Sequence, residues 1–404
     1  MARTHLFPAE TRYSPLYFLA SLGAGGIAVT FFLWLMFWIP HPGKPVPVFE
    51  DIAAAFSAGR FAQQAMIGTA MAGIALFAAT NLRLLAWNIG QLRRFRDSGA
   101  QDALSRTNAQ TQMTALPLAL AMSVNVGFIL GLVFVPGLWG VTEYLFPAAM
   151  AVFVAIGVLA LRQIGSFLGR VLSNGNFDHS ANNSFAQKLP AFALAMVGVG
   201  LAAPAAMSSV PTTVAVSLAL STFFLASAAV IALVALVLGL HAMLEHGVAP
   251  EAAPTLMVIV PILTVLGILV MRQQHGLHVH FGWHSADADT LVLLTRLLSV
   301  QVLFTLFGVF VLARIGYVAR FVTGAATSAG AYALICPAVA LSVMMQFWIN
   351  KGLVGAGVLD KFGAAYWSLS AMAVAVQAVA IGLALYLNRR HFRPAAAVLP
   401  HPAE

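Results

Sequence analysis

Charge is what this chain has least of: 8% of its 404 residues are Asp, Glu, Lys or Arg, where a soluble domain carries roughly a quarter. With 60% hydrophobic residues, that scarcity excludes a water-solvated globule and leaves an integral membrane protein. Acid is scarcer than base, 13 against 21, for a net charge of +8. Such an excess can mark a nucleic-acid partner, but membrane proteins also collect Lys and Arg in their cytoplasmic loops. Cysteine occurs once, as Cys336, which excludes an intrachain disulfide and any cysteine-cluster metal site. A glycine-rich phosphate loop, a nucleotide signature and a Ser-His-Asp order are missing too, so no cofactor is expected. The glycines at 23, 25 and 26 lie inside an apolar run, where close helix packing is their use.

What is present is a series of apolar runs. A bilayer core of about 30 Å needs about 20 apolar residues per helix. Ten runs qualify, near 15–39, 63–82, 113–136, 143–161, 190–210, 214–240, 254–272, 291–313, 325–349 and 364–387. The first is too long for the core of a cleavable signal and is expected to remain as a span. Ten crossings put both termini on one side. That side, with the connections after the second, fourth, sixth and eighth spans, carries fifteen of the 21 Lys and Arg residues; the other carries six: Lys44, Arg60, Arg272, Arg296, Lys351 and Lys361. Both termini are therefore predicted to be cytoplasmic in an inner (plasma) membrane. The basic run at 93–96 then reads as a topology signal, and no nucleic-acid partner is needed.

Prolines reveal a repeat. Pro117, Pro204, Pro261 and Pro337 fall in the third, fifth, seventh and ninth runs, while the first has its glycines instead. The even runs have no deep proline. The pattern predicts an all-α fold of ten transmembrane helices, arranged as five helical hairpins around a central path. Bent odd helices would face that path and straight even helices the lipid. Cys336 directly precedes Pro337, and a mid-helix kink there would free carbonyls beside the thiol. Such a thiol can be a pocket residue or simply a small apolar filler.

Charges inside the runs are nearly absent, which favours passive permeation over ion-coupled transport. Asn125, Gln346 and Gln377 are the deep polar residues, expected mainly as interhelical glue. The segment 275–289 holds His275, His278, His280 and His284 with Asp287 and Asp289. As an extended outer loop it would set His278 and His280 on one face, a geometry able to share a metal ion. A solvated mouth loop is the alternative, for the spacing matches no closed zinc motif.

The hairpin organisation resembles the TehA-type tellurite-resistance and dicarboxylate transporter superfamily, which includes slow-type anion channels. Pro15, Tyr17, Phe18 and the glycines that follow look like that family's entry helix. Ser328, Tyr332, Ala333 and Pro337 match the spacing of its ninth helix. The phenylalanine that plugs the pore in the family is replaced here by Cys336, so the family gate is not carried over; the TsoY branch, with a cysteine or selenocysteine at such a position, looks closer. The resemblance implies a single transmembrane domain, a small anionic solute as partner and a homotrimer in the bilayer. The expected function is passage of an inorganic anion, a sulfur or selenium oxyanion or a dicarboxylate, with Cys336, Pro337, Tyr332, Pro117, Pro204, Pro261 and Asn125 at the pore or its gate. The rival expectation is a membrane thiol enzyme or sensor built on Cys336, and the third a metal importer served by the histidine segment.

Overall fold

The computed structural model describes residues 13–175, 177–284 and 286–392. Arg3, Arg12 and Arg393, which entered the charge count, lie outside the described residues. Among the described residues there is no strand. Ten helices are long and apolar enough to cross a membrane: Pro15–Trp38, Phe61–Asp97, Asn108–Phe134, Leu138–Asn174, Phe185–Met207, Pro211–His246, Pro250–Phe281, Asp287–Arg314, Ala329–Leu353 and Ala364–His391. The chain is a multi-pass, all-α membrane protein.

Two concentric rings follow from burial. The odd spans bury 56% to 89% of their apolar stretch, and the even spans only 17% to 39%. Each odd span touches the next odd span, and the ninth closes on the first. Every even span packs on the odd span before it, completing a hairpin, and also touches the odd span that follows. Large apolar side chains such as Leu303, Phe310 and Val234 are exposed on the outer ring. Removing them from water requires a lipid solvent.

Hydrogen bonds tie the rings together. Asn81 Nδ2 on the second span donates to Ser21 O at 2.8 Å, and the Ser21 hydroxyl returns a bond to Asn81 O at 3.0 Å. Gln301 Nε2 donates to Val260 O and to Thr264 Oγ1, and the Ser342 hydroxyl to Ala373 O. Gln377 accepts from the Trp34 indole at 3.0 Å, so it acts as glue.

The repeat has a different local form from the expected mid-helix kink. Each inner span opens with a 3₁₀ stretch and then becomes α-helical: Pro15–Tyr17, Asn108–Thr114, Phe185–Lys188, Pro250–Met257 and Ala329–Leu334 precede the five α segments. Ser14, Thr107, Ser184 and Ser328 start four of these stretches, each accepting a bond from the backbone N–H two residues on. Pro117, Pro261 and Pro337 occupy the third position of the α segments that begin at Ala115, Ile259 and Ile335. In a first turn a missing N–H breaks no α-helical bond, so proline is tolerated without a kink. The kink expected at Pro337 is therefore replaced by a 3₁₀-to-α junction ahead of it. In the fifth span the corresponding proline is Pro190, and Pro204 instead begins the short helix Ala203–Met207 after a break at Ala202.

The outer helices overrun the bilayer. At about 1.5 Å per residue, the 37-residue helix Phe61–Asp97 is about 55 Å long. Its last turns carry Arg93, Arg94 and Arg96 past the apolar core.

Candidate functional site: the central cavity

The five inner helices enclose a cavity of about 700 Å³. On each helix its lining follows a helical stripe. In the ninth span this runs Cys336, Val339, Val343, Phe347, Lys351, and in the seventh Pro261, Thr264, Ile268, Arg272, His275. Spacings of three and four residues put these side chains on one face. The deepest lining residues are Leu22, Met122, Phe192, Pro261 and Cys336, all near the starts of their α segments. At the other end the rim includes Val46, His278, Asp287 and Gly355, so the cavity opens where the inner helices finish. Pro261, Asn125 and Cys336 line it. Pro117, Pro204, Pro337 and Tyr332 are buried behind or below its wall.

Beyond the cavity floor the bundle is filled by aromatic rings. Tyr332 is fully buried one turn before Cys336, and its hydroxyl donates to Asn388 Oδ1 at 3.1 Å. Its ring lies 6.0 Å from that of Tyr17 and 5.2 Å from that of His391. Trp87 and Phe392 complete the cluster against Tyr17. The same contacts place Tyr17 and Phe392, near the two described ends of the chain, at one end of the bundle. Tyr332 thus belongs to the seal of the cavity rather than to its lining.

Two cations line the wall. Arg272, counted in sequence among the charges of the outer side, sits inside the seventh span, because that helix continues to Phe281. Its Nη1 donates to Val199 O at 2.7 Å, and its side chain faces the cavity. Lys351 occupies a π-helical turn, Trp348–Leu353, at the end of the ninth span and faces the same space. The ion pairs among the described residues are Lys44 with Asp51 and Glu245 with His241 and His246. Neither Arg272 nor Lys351 is in one. Asp287 at the rim is the one carboxylate in the lining, against these two cations. Outside the spans, Lys361 has its pKa lowered, first by burial and then by the charge of Lys351. Positive charge therefore marks the upper wall, with Asp287 at the rim. The expectation that inner charges are nearly absent is corrected by this pair; the helical stripe from Pro261 onward, continued past 272, was the available signal.

The histidine segment also takes another form. His275, His278 and His280 are helical, not extended, because the seventh span runs through them. Two residues along a helix turn side chains to different sides, and the rings find different partners. His278 Nδ1 is 2.9 Å from Trp283 O, and His280 Nε2 is 3.1 Å from Ser208 O. Among the described residues no three His, Cys, Asp or Glu side chains come together to hold a metal ion.

Asn125 both bridges helices and faces the cavity. Its Nδ2 bonds Ala121 O of its own helix at 3.0 Å and Met196 Sδ of the fifth span at 3.7 Å, and the side chain lines the cavity. Gln346 is buried and receives a bond from Asn350 within the ninth span.

No protein-family model matches the sequence, and no curated protein matches it.

Proposed function

We propose that the central cavity is the outer half of a passage for small anions, in the manner of a TehA-type channel or carrier. The observation that carries this reading is Arg272, a guanidinium in a membrane interior with no carboxylate partner among the described residues and a side chain turned toward a cavity. A charge at membrane depth is costly, and a guanidinium's remaining N–H groups seek acceptors, best supplied by an anion. Lys351 and Lys361 extend the positive potential outward, which raises the local concentration of anions at the mouth. The closed ring of five hairpins and the ninth-helix resemblance support the same reading. The topology proposed with it places both termini in the cytoplasm of an inner-membrane protein, so that the cavity opens outward and the Tyr17–Tyr332 cluster seals the inner side. Cys336, at the floor, leaves space that a phenylalanine would fill. A homotrimer is proposed by the same resemblance.

The test is flux in proteoliposomes, measured for chloride, nitrate, sulfite, thiosulfate, selenite and malate. Loss of one charge-assisted bond is worth about 1.5–3 kcal/mol, so Arg272→Gln is expected to lower anion flux by about tenfold or more. Passage of none of these anions by the unaltered protein would overturn the reading.

A further inference from the structure

The lining changes character below Arg272. The guanidinium reaches back along its helix to Val199 O, as expected of a side chain whose Cβ points toward the helix N-terminus. From that level to the floor the fifth span contributes Val199, Met196 and Phe192, and the seventh Ile268, Val265 and Pro261. Each stretch is eight residues, a rise of about 10 Å along the helix. Across from them stand Met122, Phe128, Val339 and Cys336. The polar side chains at this depth are Asn125 and Thr264. Thr264 is already engaged, donating to Ala340 O at 3.0 Å and accepting from Gln301 at 2.6 Å.

A bare inorganic anion held at Arg272 would leave about 10 Å of apolar well empty beneath it. The whole cavity is also of the size that encloses an organic ligand rather than a single ion. We infer that the cavity binds a linear organic monoanion, a carboxylate with an unbranched apolar chain, whose head meets Arg272 and whose chain descends among Met196, Phe192, Val265 and Met122. Flexible methionines and flat phenylalanine rings suit a chain of variable length. Asn125 stands beside the chain with a single polar side group, enough to accept modest polarity there without requiring it. The inference rests on the anion reading and narrows it.

The experiment is isothermal titration of acetate, butanoate, hexanoate and octanoate into the full chain in lipid nanodiscs, with empty nanodiscs subtracted. Burial of each methylene predicts binding about fourfold tighter per added carbon until the well is full. Arg272→Gln is expected to weaken the whole series by about tenfold or more while keeping its slope. Met196→Trp, filling the well, is expected to flatten the slope; Val265→Phe fills it from a different helix should the tryptophan disturb folding. A flat series in the unaltered protein, or octanol binding as tightly as octanoate, overturns the inference. Chloride and nitrate flux persisting alongside a flat series removes this inference and leaves the anion passage standing; absence of any anion flux or binding removes both.

Discussion

Cys336 is the residue on which a test of the cavity turns most directly, because it is the chain's single thiol. It is 8% exposed, and its exposed edge faces the cavity floor. A reagent reaching it from the mouth must pass Lys351 and then Arg272. A negatively charged methanethiosulfonate is therefore expected to label Cys336 at least tenfold faster than a positively charged one of equal size. Arg272→Gln should remove most of that preference. Mass spectrometry after timed labelling of membranes measures both rates, and faster labelling by the cation would contradict the assigned field. At this scale the sequence showed that Cys336 is unique and next to a proline; that the thiol meets a cavity, while Pro337 beside it is buried in the wall, depends on helix rotation.

At the scale of elements, the inner ring is held close by small residues at points where backbones meet. Gly276 on the seventh span is the clearest: a Cβ there would strike Ala205 O and Ala205 C, which are backbone atoms of the fifth span. The break at Ala202 and the short helix begun by Pro204 bring that backbone into position. Backbone cannot move aside as a flexible side chain can, so Gly276→Ala is expected to cost about 1–3 kcal/mol. Thermal unfolding in detergent should show a clear loss of stability, and an unchanged midpoint would mean the two helices are free to separate. Pro204 was legible as an interruption, but its partner was not, since Gly276 lies in a different hairpin. The Ser and Thr residues that open the 3₁₀ stretches were readable in principle. A proline in a first turn, however, looks in sequence like a proline in a helix interior.

For the whole molecule, the arrangement of charge governs behaviour. Lys361, close enough to Lys351 to feel its charge, has its pKa lowered from the ordinary lysine value, first by burial and then by that charge. Its charged form is thus disfavoured in the folded state, and it loses its proton earlier than a free lysine as pH rises. Anion flux is expected to be level at neutral pH and to fall through the moderately alkaline range. Lys361→Arg, which keeps its charge there, should hold the flux level across that range. Initial rates in proteoliposomes over a pH series would show it, and an identical alkaline fall in both proteins would exclude Lys361 as the cause.

Hydropathy and charge alone determined that this chain crosses a membrane ten times, since the bilayer demands about 20 apolar residues per crossing whatever the fold. Proline and glycine placement also separated the inner from the outer helices, because irregular backbone at membrane depth must be covered by protein. Only the tertiary structure decided which faces meet the centre. Arg272, Lys351 and Asn125 share a cavity because three helices, distant in sequence, rotate the same way in a closed ring. His278 and His280 part because the seventh helix runs longer than its apolar stretch. Composition is local and survives in a string of residues; the direction a side chain takes depends on where its helix starts, and packing decides that.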